Sequence, residues 1–170
     1  MRPNEIIKLL DLKPHPTEGG YFRRIYESDQ RCDTENGSRM LLTSIYYMLT
    51  KDSPVGFLHK NKSDIIHFHH LGASIKYTIV SPDGVLSEKI LGPDIAHGQT
   101  LQLLVPGGWW KASRIYAGIC DYGLISEAVS PGFEYIDNEI ATEELAQQLF
   151  PDIKPQLDDF IKPNCMTFQK

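Results

Sequence analysis

A chain of 170 residues is long enough to bury a core and short enough for a single domain. Its 17 Lys and Arg against 22 Asp and Glu give a formal net charge of −5 with no long basic run, which argues against sequence-independent nucleic-acid or anionic-membrane binding and leaves a small molecule or a protein as partner. Cys32, Cys120 and Cys165 draw neither a disulfide framework nor a Cys-x-x-Cys site, and no leader pattern or apolar run of spanning length is present, so the expectation is a cytoplasmic protein that does not enter a membrane.

Asn4 is positioned to cap a short helix, Glu5 to Leu10, with Ile6, Ile7, Leu9 and Leu10 as its apolar side and Pro14 and Pro16 barring its continuation. Gly19 and Gly20 permit a sharp turn before a strand that alternates Tyr21, Arg23, Ile25 with Phe22, Arg24, Tyr26. Ser28 to Arg39 is polar and reads as an exposed loop containing the turn signal Asn36-Gly37. Met40 to Thr50 is rich enough in β-branched and aromatic residues to be a central strand.

A short strand then carries Phe57 and His59, Asn61 to Ser63 turns, and strands follow at Asp64 to Leu71 and Ser74 to Val80 with Gly72 between them. Alternation puts Ile65, His67, His69 and Leu71 on one face and Ile66, Phe68 and His70 on the other. Two imidazoles one strand repeat apart can bind a metal, move protons or hold an anionic ligand, and the bland alternative is a pair of hydrogen-bonded fillers. Ser81-Pro82-Asp83-Gly84 predicts a hairpin joining Ile75 to Val80 with Val85 to Ile90.

Thr100 to Val105 is strand again, Pro106-Gly107-Gly108 turns, and Trp109 to Tyr116 and Ile119 to Val129 complete the set. On a strand, Trp109 and Trp110 face opposite ways, so at most one of them lines a cavity. Thr142 caps a helix over Glu143 to Phe150 that Pro151 stops. Many short strands with terminal helices predict an all-β barrel or sandwich over residues 1–150. Residues 151–170 form an extension whose Ile153, Leu157, Phe160 and Ile161 can dock on the barrel or on a partner subunit.

Taken together, PHPTEGGYFRRIYES, SIYYMLT, LHKNKSD, SPDG, LLVPGGWWKAS and VSPGFEY resemble, in order and spacing, an uncharacterised family of the cupin superfamily. The resemblance implies a double-stranded β-helix, or jelly-roll barrel, commonly dimeric, with a ligand cavity at the barrel mouth. Metal-binding cupins place Glu a few residues after a His-x-His and a further His after a Pro-x-Gly turn. Here Leu71 to Ile75 hold no carboxylate, and Lys111 stands where the further histidine would be expected. No cofactor is therefore favoured, and a divalent metal on His67 and His69, as in an oxygenase, is kept as an alternative.

By comparison with the deoxysugar epimerases that share the fold, a metal-free site would use His59 as general base and Tyr122 (or Tyr116) as acid, with Lys111 or Arg23 stabilising an enolate or a phosphate. Glu18, Tyr21, Gln102, Trp109, His67 and His69 are the further candidate ligand contacts. The expectation is a homodimeric protein that binds a small polar or anionic ligand of the sugar or nucleotide-sugar class, with isomerase or epimerase chemistry. A binding module without chemistry is the alternative, and fold alone does not decide whether the protein is an enzyme.

Overall fold

The computed structural model describes residues 1–116 and 120–163. Ile119, the expected start of one strand, and Cys165 lie outside the described residues. In chain order the elements are α1 (Pro3–Leu9), β1 (Lys13–Pro14), β2 (Tyr21–Glu27), β3 (Arg31–Thr34), β4 (Gly37–Met40), β5 (Thr43–Thr50), β6 (Val55–Asn61), β7 (Asp64–Gly72), β8 (Ile75–Val80), β9 (Leu86–Leu91), β10 (Gln102–Val105), β11 (Trp110–Ile115), β12 (Tyr122–Ser130), β13 (Asn138–Ile140), α2 (Glu143–Leu149) and α3 (Lys154–Leu157). A six-stranded sheet ordered β1-β2-β5-β12-β7-β10 faces a five-stranded sheet ordered β13-β6-β11-β8-β9, and β3 and β4 pair as a separate ribbon. This is the all-β jelly-roll architecture the sequence predicts, with short helices at both ends.

Strand parity sorts every residue to the lumen or to an outer face. At one end of the lumen Tyr47, Leu49, Ile75, Tyr77, Ile79, Leu91, Leu103, Val105 and Ile125 form an apolar core. The intervening positions of the same strands feed two outer clusters. Met48, Tyr122 and Leu124 lie with Ile6 and Leu12 beneath α1. Leu58, Val80, Trp110 and Ala112 are covered by Ala141, Phe150, Leu157 and Phe160 from the C-terminal helices. The stretch from Ile153 to Ile161 is thus packed on the barrel, with Leu157 and Phe160 buried, each worth roughly 1.5–3 kcal/mol of apolar burial.

Three local expectations are corrected. The segment from Ser28 to Arg39 is not a loop, because Arg31–Thr34 pairs with Gly37–Met40 in a hairpin that turns at Glu35-Asn36. Gly37 takes φ 100°, and the buried Arg39 side chain forms two bonds with Asp137, at 2.5 and 3.0 Å, which anchor the ribbon. The central strand begins at Thr43 rather than Met40, since Met40 belongs to β4. The first helix starts at Pro3 after Arg2, whose backbone N–H donates to the Glu5 carboxylate at 2.9 Å, so Asn4 is not its cap. Thr142 does cap α2, its hydroxyl accepting from the Leu145 backbone N–H at 3.2 Å. Among the described residues no helix is long and apolar enough to cross a membrane.

Candidate functional site

The lumen end opposite the apolar core is polar, and two cross-strand pairs build it. Lys111 on β11 sits opposite His59 on β6, and Glu127 on β12 sits opposite His67 on β7, so each sheet contributes one pair. All four side chains are buried. The Lys111 ammonium donates to His67 Nε2 at 2.8 Å and to Glu127 Oε1 at 3.3 Å. The other ring nitrogen of His67, Nδ1, faces the Leu103 carbonyl at 3.2 Å. A carbonyl only accepts, so Nδ1 carries the proton and Nε2 is free to receive the ammonium.

Burial pushes His67 below the ordinary histidine range, and Lys111 adds to that. Burial alone would raise the Glu127 carboxyl, but the Lys111 ammonium outweighs it and holds the group far below the usual carboxylate range. The result is a buried ion pair bridged to a neutral imidazole.

Beside it lies a second polar group built on the turn before β2. Gly19 and Gly20 have φ of 81° and 68°, and a Cβ on Gly19 would stand 2.4 Å from the Val55 carbonyl oxygen. Only glycine lets this turn press against β6, where the Phe57 N–H donates to the Glu18 carbonyl at 2.8 Å. Glu18 is thereby carried into the lumen, its side chain 9 % exposed. Asn138 Nδ2 donates to its Oε1 at 2.5 Å, while Oε2 lies 3.5 Å from His59 Nε2 and 3.8 Å from His15 Nε2.

The two histidines hold opposite tautomers. His59 Nδ1 donates to the Phe57 carbonyl at 2.7 Å, which leaves its Nε2 with a lone pair facing Glu18. His15 Nδ1 accepts from the Glu18 backbone N–H at 2.9 Å, so its proton is on Nε2. Burial lowers both rings, against the pull of Glu18.

These groups form the inner end of a narrow cleft. Phe22, Ile45, Ile65 and Val129 are its apolar walls, and Arg24, Phe133 and Tyr135 stand at its mouth, with about 30 Å³ open to the centre of a water-sized sphere. Arg24 is engaged with Glu27 at 2.7 Å and with the Phe133 carbonyl at 3.2 Å. Trp109 and Lys111 line a smaller recess that shares Asn61 and Ile65 with the cleft.

A family model described as "Cupin superfamily (DUF985)" matches residues 4–141. The chain belongs to the cupin superfamily. This cupin is similar to the uncharacterised protein YML079W of Saccharomyces cerevisiae, 37% identical over 155 residues that span 82% of this chain and 77% of the yeast chain. It is similar in structure to a hypothetical protein from Leishmania major, with TM-score 0.89 and 31% identity over 95% of this chain and 99% of that one. A more distant likeness, to oxalate decarboxylase of Bacillus subtilis, has TM-score 0.54 and 17% identity over 89% of this chain and 36% of that one, and bears on fold alone.

Cupins of the metal-binding kind suggest a test of whether a divalent ion fits here. His67 and His69 do not converge as a pair: their register against β12 is regular, but the His69 ring is engaged elsewhere, with Nε2 facing the Ala73 carbonyl at 3.2 Å. His67 Nε2 already receives Lys111, and no group of three or more His, Cys, Asp or Glu able to hold a metal occurs among the described residues. The donor set does not fit a divalent metal.

Of the residues singled out from the sequence, Glu18, His59, His67, Trp109 and Lys111 are brought together in the lumen or its recess. Apart from His69, whose ring faces the Ala73 carbonyl, the others lie away from the lumen. Tyr122 packs under α1 with Ile6 and Met48, and Tyr21 packs against the same cluster. Arg23 is exposed and donates to the Leu10 carbonyl at 3.1 Å, and Gln102 is exposed on β10. Phe22 and Arg24, one step along from each, are the β2 side chains that line the cleft. Sequence reasoning missed His15, Asn138 and Glu127. Glu127 did leave a signal: it is a lone carboxylate inside the apolar strand Tyr122–Ser130.

Proposed function

We propose that this cupin binds a small polar molecule of sugar size in the cleft and that His59 acts on it as a metal-free general base, in isomerase or epimerase chemistry. The observation that carries this reading is the bare Nε2 of His59, buried at the cleft's inner end beside the Glu18 carboxylate. Glu18 would stabilise the imidazolium that forms when His59 takes a proton, and the dry apolar walls would strengthen that interaction. A nucleotide-sugar has less support, because the cleft is narrow and Lys111 is engaged by His67 and Glu127.

The test is deuterium wash-in. Small ketoses, aldoses and hydroxyketones are incubated with the protein in D2O, and loss of carbon-bound protons is followed by NMR. Exchange by the wild type that His59→Asn abolishes supports the base. Compounds that bind without exchange assign the second reading, a binding module without chemistry. That second reading is favoured by the position of Tyr122, on the outer face and therefore not available as the acid opposite His59.

We also propose a homodimer. Its support is the exposed apolar surface at Ile66, Leu71, Leu101 and Leu104 on and beside β7 and the edge strand β10. Sedimentation as a monomer at micromolar concentration would contradict it.

A further inference from the structure

We infer that the inner end of the cleft is a seat for a small primary ammonium group, held between Glu18 Oε2 and His59 Nε2. This rests on the reading of the cleft as a ligand site and names the functional group the site selects.

The two facing atoms, 3.5 Å apart, are both hydrogen-bond acceptors, since the His59 proton is committed to the Phe57 carbonyl on the far side of the ring. Glu18 Oε2 receives no hydrogen bond from a described residue, and no lysine or arginine among the described residues approaches the carboxylate. A buried carboxylate without a cationic partner is costly, so a positive donor entering from the cleft gains more here than in water. Asn138, the residue that holds the other oxygen of Glu18 through its Nδ2, leaves its own Oδ1 buried without a donor among the described residues.

The wider charge balance agrees. Glu18 and Glu127 bring two carboxylates to the polar end of the lumen, where Lys111 is bonded to His67 and Glu127, and Arg24 at the mouth is paired with Glu27. Among the described residues, an anion meets no free cation at the inner end. A hydroxyl donates one hydrogen bond and an ammonium three, so an ammonium can serve both facing acceptors at once. Beyond the polar end the walls are Phe22, Ile45, Ile65 and Val129, so an ammonium on a short apolar stem is a suitable probe of the seat.

The experiment titrates the full chain with n-butylammonium chloride, n-butanol and sodium butyrate at matched ionic strength, read by ligand-observed NMR and thermal shift. The expected result is that n-butylammonium binds at least about tenfold more tightly than either analogue and that Glu18→Gln raises its Kd at least about tenfold. Butyrate or butanol binding as well as the amine overturns the inference, as does an unchanged Kd in a folded Glu18→Gln variant. Should that variant fail to fold, the three-ligand comparison on the wild type decides alone. Failure of n-butylammonium to bind overturns the inference but leaves the base reading to wash-in with neutral carbonyl compounds, so the two are separable.

Discussion

His59 Nε2 stands 3.5 Å from Glu18 Oε2, and because the same ring donates its proton to the Phe57 carbonyl, two lone-pair-bearing atoms face each other at the bottom of a cleft. Neither is the other's partner. That relationship leaves two acceptors open to a donor from the cleft, in contrast to the neighbouring His67, Lys111 and Glu127, which satisfy one another.

The closed network predicts a large cost for removing its cation. Lys111→Met leaves Glu127 charged and buried without its ammonium, which should destabilise the fold by roughly 3–5 kcal/mol. Adding Glu127→Gln should recover part of that loss, because both charges are then gone. Urea denaturation of the two variants checks it, and additive costs would show that the pair is not coupled.

Stability should depend on pH through the buried histidines. His15, His59 and His67 are all lowered by burial, so between their folded values and the unfolded value of about 6.5 the unfolded chain binds more protons. Stability is then full above about pH 6.5 and falls as pH drops below it, by up to about 1.4 kcal/mol per pH unit for each such group. Denaturation at pH 7.5, 6.5 and 5.5 should show the fall, and His59→Asn should flatten it.

Much of this was legible in the sequence. Period-two alternation and glycine-proline turns located most strands, and PHPTEGG, LHKNKSD and LLVPGGWWKAS carried the family resemblance. The site was only half legible, because parity within a strand does not say which face is inside. Arg23 and Arg24 differ by one step, yet only Arg24 lines the cleft. His69 has the register that alternation predicts, yet its ring is engaged with the Ala73 carbonyl, a contact that parity does not reveal. The partnership of Glu18 with Asn138 spans 120 residues and is set by the pairing of β13 with β6.

The glycine turn should be as intolerant as the site it positions. Gly19→Ala places a Cβ 2.4 Å from a backbone oxygen at φ 81°, so the turn must move away from β6 and take Glu18 with it. The expected outcome is a loss of about 1–3 kcal/mol in stability together with loss of n-butylammonium binding. A stable variant that binds normally would show that the turn does not position the carboxylate.

The ribbon β3–β4 should depend on its clamp between Arg39 and Asp137. Arg39→Ala removes the two bonds to Asp137, and amide exchange across Arg31 to Met40 should accelerate while the strands of the two main sheets remain protected. Uniform acceleration through the barrel would instead make the clamp part of the global core.

The most direct measurement is the protonation state of His59, read from long-range nitrogen–proton correlations of ring-labelled histidine at pH 7, with His59→Asn to assign the signals. The structure predicts a neutral ring with its proton on Nδ1 and a bare Nε2. A ring protonated on Nε2, or charged on both nitrogens at that pH, would contradict it and remove both the base and the acceptor that the cleft is built around.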